Sequence, residues 1–446
     1  MPAVATDPGP VHTGATPAPG GHRLAWLDAL RGIAALLVVY EHLSHFLFTR
    51  FRLAVEHWFF AGYAGICLFF LVSGYIIPAS LERRGSLRGF WVSRVFRLYP
   101  LFVFVLGVLV VLDLAGLRPL SATPLAHPGA TAGAHAMMLT ALAGLPDILG
   151  VTWTLAFEMA FYLLVAGLFA VGRHRASPIV ALGLAGTALA VGGAMPVLVL
   201  THALGPVALV LVVLAGFGLA LAGMLSGRRA LAVAGGVLAG LLSVTLLLTN
   251  QDTTHKWDGL LIPALMFTGT TIYRVERRQI RWWWAVLVPL VVGTVWVVQT
   301  VRELDGYEAY YQEFKLRIAI TLAVVAVLFG TGMALRHRRI PRVLAWVGLV
   351  SYSVYLLHLV VFDVLEPRLG RRGAEPSGAP WYLQLALYVL LVAVVLLAAE
   401  WTYRLVEAPA QRLGRRVTRW LDARYGPDHD PPAPVADQAS PARLSA

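Results

Sequence analysis

The sequence predicts an all-α, polytopic integral membrane protein with about 10–12 transmembrane helices. Of its 446 residues, 58% are hydrophobic and only 13% are charged, whereas an ordinary soluble domain has about 25% charged residues. The apolar residues form long runs, several of them close to the roughly 20 residues that a helix needs to cross a bilayer. These observations exclude a soluble globular enzyme and a disordered chain.

Twelve apolar segments are candidates for these helices, with ends predicted to within several residues. They fall at about 28–48, 59–80, 98–117, 151–172, 178–200, 204–226, 229–249, 259–273, 282–301, 317–335, 343–365 and 381–405. A different division of the short segments between 230 and 273 would give ten or eleven. The compositions of residues 1–22 and of the end of the basic flank 411–446 predict disordered tails on either side of a membrane domain at 23–410.

Membrane topology explains the net charge of +12 better than nucleic-acid binding does. Arginines are concentrated in alternate connections, starting with the one that contains Arg83 and Arg97, and after the last span. The positive-inside rule then places both termini in the cytoplasm. The bias towards Ala, Gly, Val and Arg indicates a GC-rich bacterial genome, so we expect a multi-pass protein of the bacterial cytoplasmic membrane. The single cysteine, Cys67, allows no disulfide within the chain, and no metal is expected.

The first predicted span contains four polar residues, Asp28, Arg31, Glu41 and His42. Each charged group placed within hydrocarbon costs at least a few kcal/mol, which makes it a functional candidate. Arg31 and His42 are eleven residues apart and so share one stripe of a helix, separated by about 16 Å along its axis. A neutral imidazole can take a proton from a hydroxyl, so His42 is a candidate general base. The alternative is that Arg31 only extends to the interface and His42 makes only a helix contact.

Two later segments also place polar groups on one helix stripe. Glu158 and Tyr162 are four residues apart in an aromatic-rich span, next to a packing face. Ser351, Tyr355 and His358 share a stripe of the eleventh span. A structural hydrogen-bond network between helices would explain the second group equally well.

The arginine-rich loop before the third span has a feature beyond topology. Arg94 and Arg97 are one helical turn apart at the mouth of that span. Guanidinium groups match the geometry of phosphate oxygens. A phosphorylated cytoplasmic co-substrate is therefore a reasonable partner for this pair.

Taken in order, these blocks resemble the acyltransferase-3 family of membrane-bound O-acyltransferases. The blocks that carry the resemblance are Leu27–Ala35 with the Arg31 to His42 spacing, Leu68–Tyr75, Arg94–Pro100, Trp153–Tyr162, Ser351–His358 and Val406–Pro409. Together they extend over nearly the whole chain, from about 24 to 410.

The resemblance implies transfer of an acyl group, often acetyl, from cytoplasmic acyl-coenzyme A (acyl-CoA) to a hydroxyl of a glycan, glycolipid or glycosylated antibiotic. His42 would match the family's essential histidine, Arg31 its motif partner, and Arg94 with Arg97 the arginine pair that binds the donor. Glu158 would orient or charge the histidine, or contact the acceptor. The residues expected to contact substrate are Trp153, Tyr162, Tyr355 and His358.

Two mechanisms and one rival function remain open. The acceptor hydroxyl could attack the thioester directly, or the acyl group could first be transferred to His42. The rival is a secondary transporter or flippase for a sugar-containing or lipid-linked substrate, because intramembrane Arg, Glu and His also line transport paths. Many transporters have two matched halves, and the sequence contains no such pair. An acyltransferase is therefore the preferred prediction, and consumption of acyl-CoA would distinguish the two functions.

Overall fold

The structure, a computed structural model, describes residues 25–118, 126–304, 310–370 and 379–426. The N-terminal tail predicted at 1–22 and the end of the C-terminal flank, 427–446, lie outside these ranges. Within them the chain folds into helices and contains no β-strand. The all-α prediction is thereby confirmed.

Eighteen α-helices, numbered in chain order, make up the described part of the chain. The first six are α1 Ala25–Leu47, α2 Thr49–Glu56, α3 Ala61–Arg84, α4 Leu87–Leu114, α5 Pro128–Met137 and α6 Thr140–Ala143. The next six are α7 Thr152–Ala170, α8 Ser177–Val191, α9 Val199–Leu204, α10 Pro206–Leu225, α11 Arg229–Thr249 and α12 Asp258–Glu276. The last six are α13 Trp284–Glu303, α14 Tyr310–Ala334, α15 Arg342–Leu349, α16 Ser351–Gly370, α17 Trp381–Thr402 and α18 Ala408–Tyr425. A π-helical turn, Tyr403–Glu407, joins α17 to α18.

Each of the twelve predicted spans corresponds to a helix, with the eleventh divided between α15 and α16. In the described ranges, nine helical segments are long and apolar enough to cross a membrane, and the α15–α16 pair gives a tenth. The helices of the first and eighth predicted spans, α1 and α12, fall outside this set, and both contain charged residues. The chain is a polytopic membrane protein, as predicted.

The connection between α3 and α4 is only two residues long, much shorter than the loop expected before residue 98. Gly85 ends α3 with a φ of +63°, in the left-handed region that glycine adopts at little cost. Ser86 then caps α4, because its Oγ accepts a hydrogen bond of 2.9 Å from the Gly89 backbone N–H. Arg94 and Arg97 consequently lie well inside α4 rather than in a loop before it.

Glycines allow α1 and α3 to approach their neighbours at backbone contact. A Cβ at Gly348 of α15 would lie 1.7 Å from the Asp28 carbonyl oxygen of α1, and one at Gly74 of α3 would lie 1.8 Å from the Met266 carbonyl oxygen of α12. No side chain fits at either distance. Small residues permit this close approach at helix interfaces in membranes. The two contacts hold in place the two helices that carry His42 and one wall of the site.

The eleventh span is broken at Val350, where α15 and α16 meet at an angle of 68°. Ser351 and Tyr352, the first residues of α16, are both buried. Irregular backbone at membrane depth is tolerated where it is enclosed by protein or lines a cavity. The break therefore indicates that the start of α16 is enclosed by protein or lines a cavity.

Candidate active site

A cavity lies between α1, α3, α4, α7 and α16 and has about 750 Å³ of empty space, part of it open to the surroundings. The polar residues that line it are Arg31, Ser73, Arg94, Arg97, Thr154, Glu158, Ser351, Tyr352 and Tyr355. Five helices thus contribute polar groups to one space.

Arg94 is held in the cavity wall by aromatic rings. Its guanidinium lies 5.3 Å from the ring centre of Phe90 and 5.2 Å from that of Tyr162. Such cation–π contacts stabilise a desolvated cation. The side chain is buried, and its Nε has no hydrogen-bond partner within the described structure. Arg94 is therefore a buried cation of the cavity wall with one donor that no described residue satisfies.

The cavity wall carries more positive than negative charge. Arg31 and Arg97 line it with Arg94, and neither of them makes a salt bridge at contact distance with a described residue. Glu158 is the carboxylate of the described wall. Asp28 and Glu407, which are not lining residues, also interact electrostatically with Arg31. The three guanidinium groups facing one carboxylate make this wall suitable for an anionic group.

The start of α16 adds a second unused polar group. Ser351 is completely buried and its Oγ has no hydrogen-bond partner in the described structure. Its neighbour Tyr352 donates from its hydroxyl to the Leu98 carbonyl oxygen at 3.0 Å. A buried hydroxyl without a partner costs free energy unless a ligand or water bonds to it. Ser351 and Arg94 are thus two unsatisfied groups on the same cavity.

His42 and His358 form a pair next to this cavity. His358 Nε2 lies 3.3 Å from His42 Nδ1, and the ring centres are 5.0 Å apart. His358 is completely buried and His42 is half-buried. The structure thus brings together the histidine predicted to be the base and a histidine predicted to contact substrate.

Backbone carbonyls determine which nitrogen of each imidazole carries hydrogen. His42 Nδ1 lies 2.9 Å from the Val38 carbonyl oxygen, and His358 Nδ1 lies 3.2 Å from that of Val354. A carbonyl can only accept, so in the neutral rings both Nδ1 atoms are donors and both Nε2 atoms carry lone pairs. His358 Nε2 then accepts from His42 Nδ1, which leaves His42 Nε2 free to take a proton.

Tyr355 connects the cavity to the histidine pair. It lines the cavity, and its ring centre is 5.8 Å from that of His358. Its hydroxyl bonds to Thr154 Oγ1 at 2.7 Å and donates to the Val151 carbonyl oxygen at 3.1 Å. The Phe69 ring, also in the cavity wall, packs edge-on against Tyr355 at 5.7 Å. We call Phe69 and Tyr355 the two-ring partition.

The expected site residues therefore divide into two groups. Arg31, Arg94, Arg97, Glu158 and Tyr355 line the cavity, whereas His42 and His358 are not among its described lining residues. Two further residues take supporting positions. Tyr162 is completely buried and donates to Glu158 Oε1 at 2.5 Å, and Trp153 packs edge-on against Phe70.

Glu41, the acid beside His42, has a structural role at the start of α3. Its Oε2 accepts a hydrogen bond of 3.1 Å from the backbone N–H of Gly62, at the start of α3. A carboxylate at a helix N-terminus is stabilised by the free N–H groups there. Glu41 thus anchors α3 against α1. In the described ranges, no group of three or more His, Cys, Asp or Glu residues is placed to hold a metal ion.

Some lining residues were not expected from the sequence. Thr154 stands one helical turn before Glu158, so this spacing could have identified it, as it identified Ser351 on the stripe of Tyr355. Ser73 gives no comparable signal, because only the packing of α3 against its neighbours decides which of its faces adjoins the cavity.

Comparison with known proteins gives a family match and several relatives. A family model described as an acyltransferase domain matches residues 24–400. "Exopolysaccharide production protein ExoZ" of Rhizobium meliloti (strain 1021) is 33% identical over 125 residues, which are 28% of this chain and 39% of that protein. "Putative peptidoglycan O-acetyltransferase YrhL" of Bacillus subtilis (strain 168) is 25% identical over 412 residues, 87% of this chain and 55% of that protein.

A third relative matches a shorter part of the chain. "Putative O-acetyltransferase SACOL0978" of Staphylococcus aureus (strain COL) is 32% identical over 88 residues, 18% of this chain and 13% of that protein. The chain thus spans 13% to 55% of the length of these three relatives. No solved structure matches it.

Proposed function

Because the chain belongs to the acyltransferase-3 family, whose domain model matches residues 24–400, we propose that it is an O-acyltransferase of the bacterial inner membrane. Its donor is acyl-CoA and its acceptor is a hydroxyl of a carbohydrate or glycoconjugate. The observation that carries the proposal is the position of the His42–His358 pair next to a cavity lined by Arg31, Arg94 and Arg97. The rival carrier function receives no support from the family match.

The cavity is the proposed donor site. Phosphates of acyl-CoA are multiply charged, and the guanidinium groups of Arg94 and Arg97 can bind them through paired N–H donors. The unsatisfied Nε of Arg94 and Oγ of Ser351 supply further donors on the same walls. The predicted topology places these arginines towards the cytoplasm, where acyl-CoA is available.

His42 is the proposed general base. Its Nε2 accepts the proton of the acceptor hydroxyl while the hydroxyl oxygen attacks the thioester carbonyl carbon. The C–S bond then breaks, and the imidazolium returns the proton to the departing thiolate. The products are an O-acyl ester and free coenzyme A. His358 Nε2 and the Val38 carbonyl stabilise the imidazolium through its Nδ1–H.

The route to His42 passes the two-ring partition. The acyl end of the donor must reach beyond Phe69 and Tyr355, because His42 itself is not among the described lining residues. Direct transfer then requires that the acceptor approach the half-exposed side of His42. This arrangement favours an acceptor on the predicted extracytoplasmic side, because the cavity side holds the donor.

The names of the relatives support a carbohydrate acceptor. One is an exopolysaccharide production protein and another carries a peptidoglycan O-acetyltransferase name. Each chain overlaps this one only in part, so the acceptor of this chain is proposed by class. An envelope glycan, a glycolipid and a glycosylated antibiotic all present suitable hydroxyls.

The test combines the purified protein with labelled acyl-CoA. Detergent-purified protein is incubated with radiolabelled acetyl-CoA and cell-envelope fractions, and we expect acceptor-dependent release of coenzyme A and an ester that hydroxylamine cleaves. Mass spectrometry of a deletion strain should show one missing ester of the same acyl group. Folded protein that consumes neither acetyl-CoA nor other short acyl-CoAs with any fraction would contradict the proposal.

A further inference from the structure

A second pocket lies beside the active-site cavity, at the ends of α3, α12 and α14 that the topology places in the cytoplasm. It has about 810 Å³ of empty space, part of it open to the surroundings. Ile76 lines both this pocket and the cavity, so one side chain of α3 forms their common wall. A ligand with two parts could occupy both spaces at once.

Three aromatic rings form the inner surface of this pocket. Trp26 and Tyr75 pack edge-on with ring centres 5.5 Å apart, and Tyr75 packs in the same way against Tyr273, also at 5.5 Å. All three residues are buried. Such a cluster is rigid and presents apolar ring edges and faces to a planar ligand group.

Three arginines at the ends of three different helices lie around these rings. We call the whole the arginine pocket; it consists of Arg83, Arg277 and Arg336 with Trp26, Tyr75 and Tyr273. Arg336 is engaged by Glu276, whose carboxylate lies 3.3 Å from its Nε. Tyr75 donates to the same carboxylate through its hydroxyl.

Arg83 and Arg277 are available for a ligand. Both are exposed, and neither makes an ion pair with a residue in the described ranges. The Arg277 guanidinium lies 5.6 Å from the ring centre of Tyr273, so a cation and an aromatic ring are presented together.

Topology alone explains why these arginines lie at the cytoplasmic end, but not why they converge. The positive-inside rule requires only that arginines lie in cytoplasmic connections, and it is indifferent to which neighbours they have. Arginines that converge on buried aromatic rings form a site suited to a phosphorylated nucleoside, because the rings contact the base and the guanidinium groups bind phosphate.

We propose that the arginine pocket binds the nucleotide end of the acyl-CoA donor, an inference that rests on the proposed function. Coenzyme A carries phosphate at two places, a diphosphate bridge and a monoester on the ribose. The two cationic clusters on either side of Ile76 can divide these phosphates between them, with Arg94 and Arg97 in the cavity and Arg83 and Arg277 outside it. An anionic lipid headgroup would offer the same phosphate chemistry, but it has no need of a pocket that adjoins the active-site cavity.

The test measures equilibrium binding of radiolabelled acetyl-CoA to the purified full-length protein, with adenosine 3′,5′-bisphosphate as competitor. In the wild type we expect the bisphosphate to compete. Arg83→Ala and Arg277→Ala should each weaken acetyl-CoA binding by about tenfold, the effect of losing one charge-assisted contact, and should weaken the competition as well. Arg338→Ala is the matched control, because Arg338 is an exposed arginine of the same connection as Arg336 and does not line the pocket.

The outcomes separate this inference from the proposed function. Wild-type protein that binds no acyl-CoA would contradict the proposed function itself. Acetyl-CoA binding that the bisphosphate does not compete with, or that both variants retain at the level of Arg338→Ala, would overturn the pocket assignment alone. The measurement is repeated in nanodiscs with and without phosphatidylglycerol. Weakened binding that appears only when this lipid is present would also overturn the assignment, because it would identify the pocket as a lipid site. Unchanged thermal unfolding of both variants establishes that they are folded.

Discussion

His358 Nε2 lies 3.3 Å from His42 Nδ1, across 316 residues of sequence. The Val38 carbonyl oxygen faces the same nitrogen at 2.9 Å. Two acceptors on one nitrogen fix the ring and its tautomer, so that the lone pair of His42 is on Nε2. This orientation is what a general base requires before substrate arrives.

Substitution of His42 by alanine should strongly slow acyl transfer. Loss of a positioned base typically lowers a rate by about 10²–10⁴-fold. We expect a fall of this size in acceptor-dependent release of coenzyme A, with acetyl-CoA binding retained because His42 is not a described lining residue of the cavity. Transfer at the wild-type rate would end the assignment of His42 as base.

His358 should act as a positioning residue. His358→Leu removes the acceptor that orients His42, and we expect kcat to fall about tenfold or more while KM for acetyl-CoA stays the same. His358→Gln should retain more of kcat, because its amide oxygen can accept from His42 Nδ1–H. Equal kcat in the two variants would indicate that His358 has only a packing role.

Arg94 should bind the donor through its geometry as well as its charge. Arg94→Ala is expected to weaken acetyl-CoA binding by about tenfold or more, the effect of losing a buried charge-assisted contact. Arg94→Lys should restore little of it, because an ammonium cannot reproduce a planar guanidinium held between Phe90 and Tyr162. Arg228→Ala, at an exposed arginine outside the cavity, is the control for net charge. Unchanged binding in Arg94→Ala would remove the donor-binding role.

Gly348 should be the glycine at which a methyl group is least tolerated. Gly348→Ala places a Cβ 1.7 Å from the Asp28 carbonyl oxygen, so α1 and α15 must separate. Overpacking of this kind typically costs about 1–3 kcal/mol, and we expect a clear fall in the thermal unfolding temperature in detergent. Gly183→Ala is the matched control, because no atom lies within 4 Å of a Cβ there. A Gly348→Ala protein as stable as this control would show that the two helices can separate at no cost.

The sequence identifies whole spans well and their interruptions poorly. The span expected at 204–226 is the helix Pro206–Leu225, because hydrophobicity alone decides where an uninterrupted apolar run enters and leaves the bilayer. The break at Val350 has no counterpart in hydropathy. The apolar run simply continues there, while the chain bends where Gly348 lies against the backbone of α1.

For the site as well, helical spacing predicts which residues share a stripe of one helix, and helix packing decides which stripes meet. The stripe that contains Tyr355 and His358 is readable from helical spacing, and so is the interval from Arg31 to His42. That His42 meets His358, while Arg31 faces the cavity, depends on how α1 and α16 cross. Periodicity within one helix contains no information about the angle at which another helix crosses it.

The two-ring partition also bears on whether the membrane stays impermeable to protons. In the proposed function, the donor enters from the cytoplasmic side and the acceptor from the other side, which requires an opening on each side of the membrane. Phe69 and Tyr355 pack against each other in the cavity wall, Tyr355 also packs against His358, and the bonds of Tyr355 to Thr154 and Val151 hold its ring in position. If that layer opened to water on both sides at once, protons would flow down the transmembrane potential through the enzyme. In that function, the two rings that must yield to an acyl group also have to insulate the membrane between turnovers.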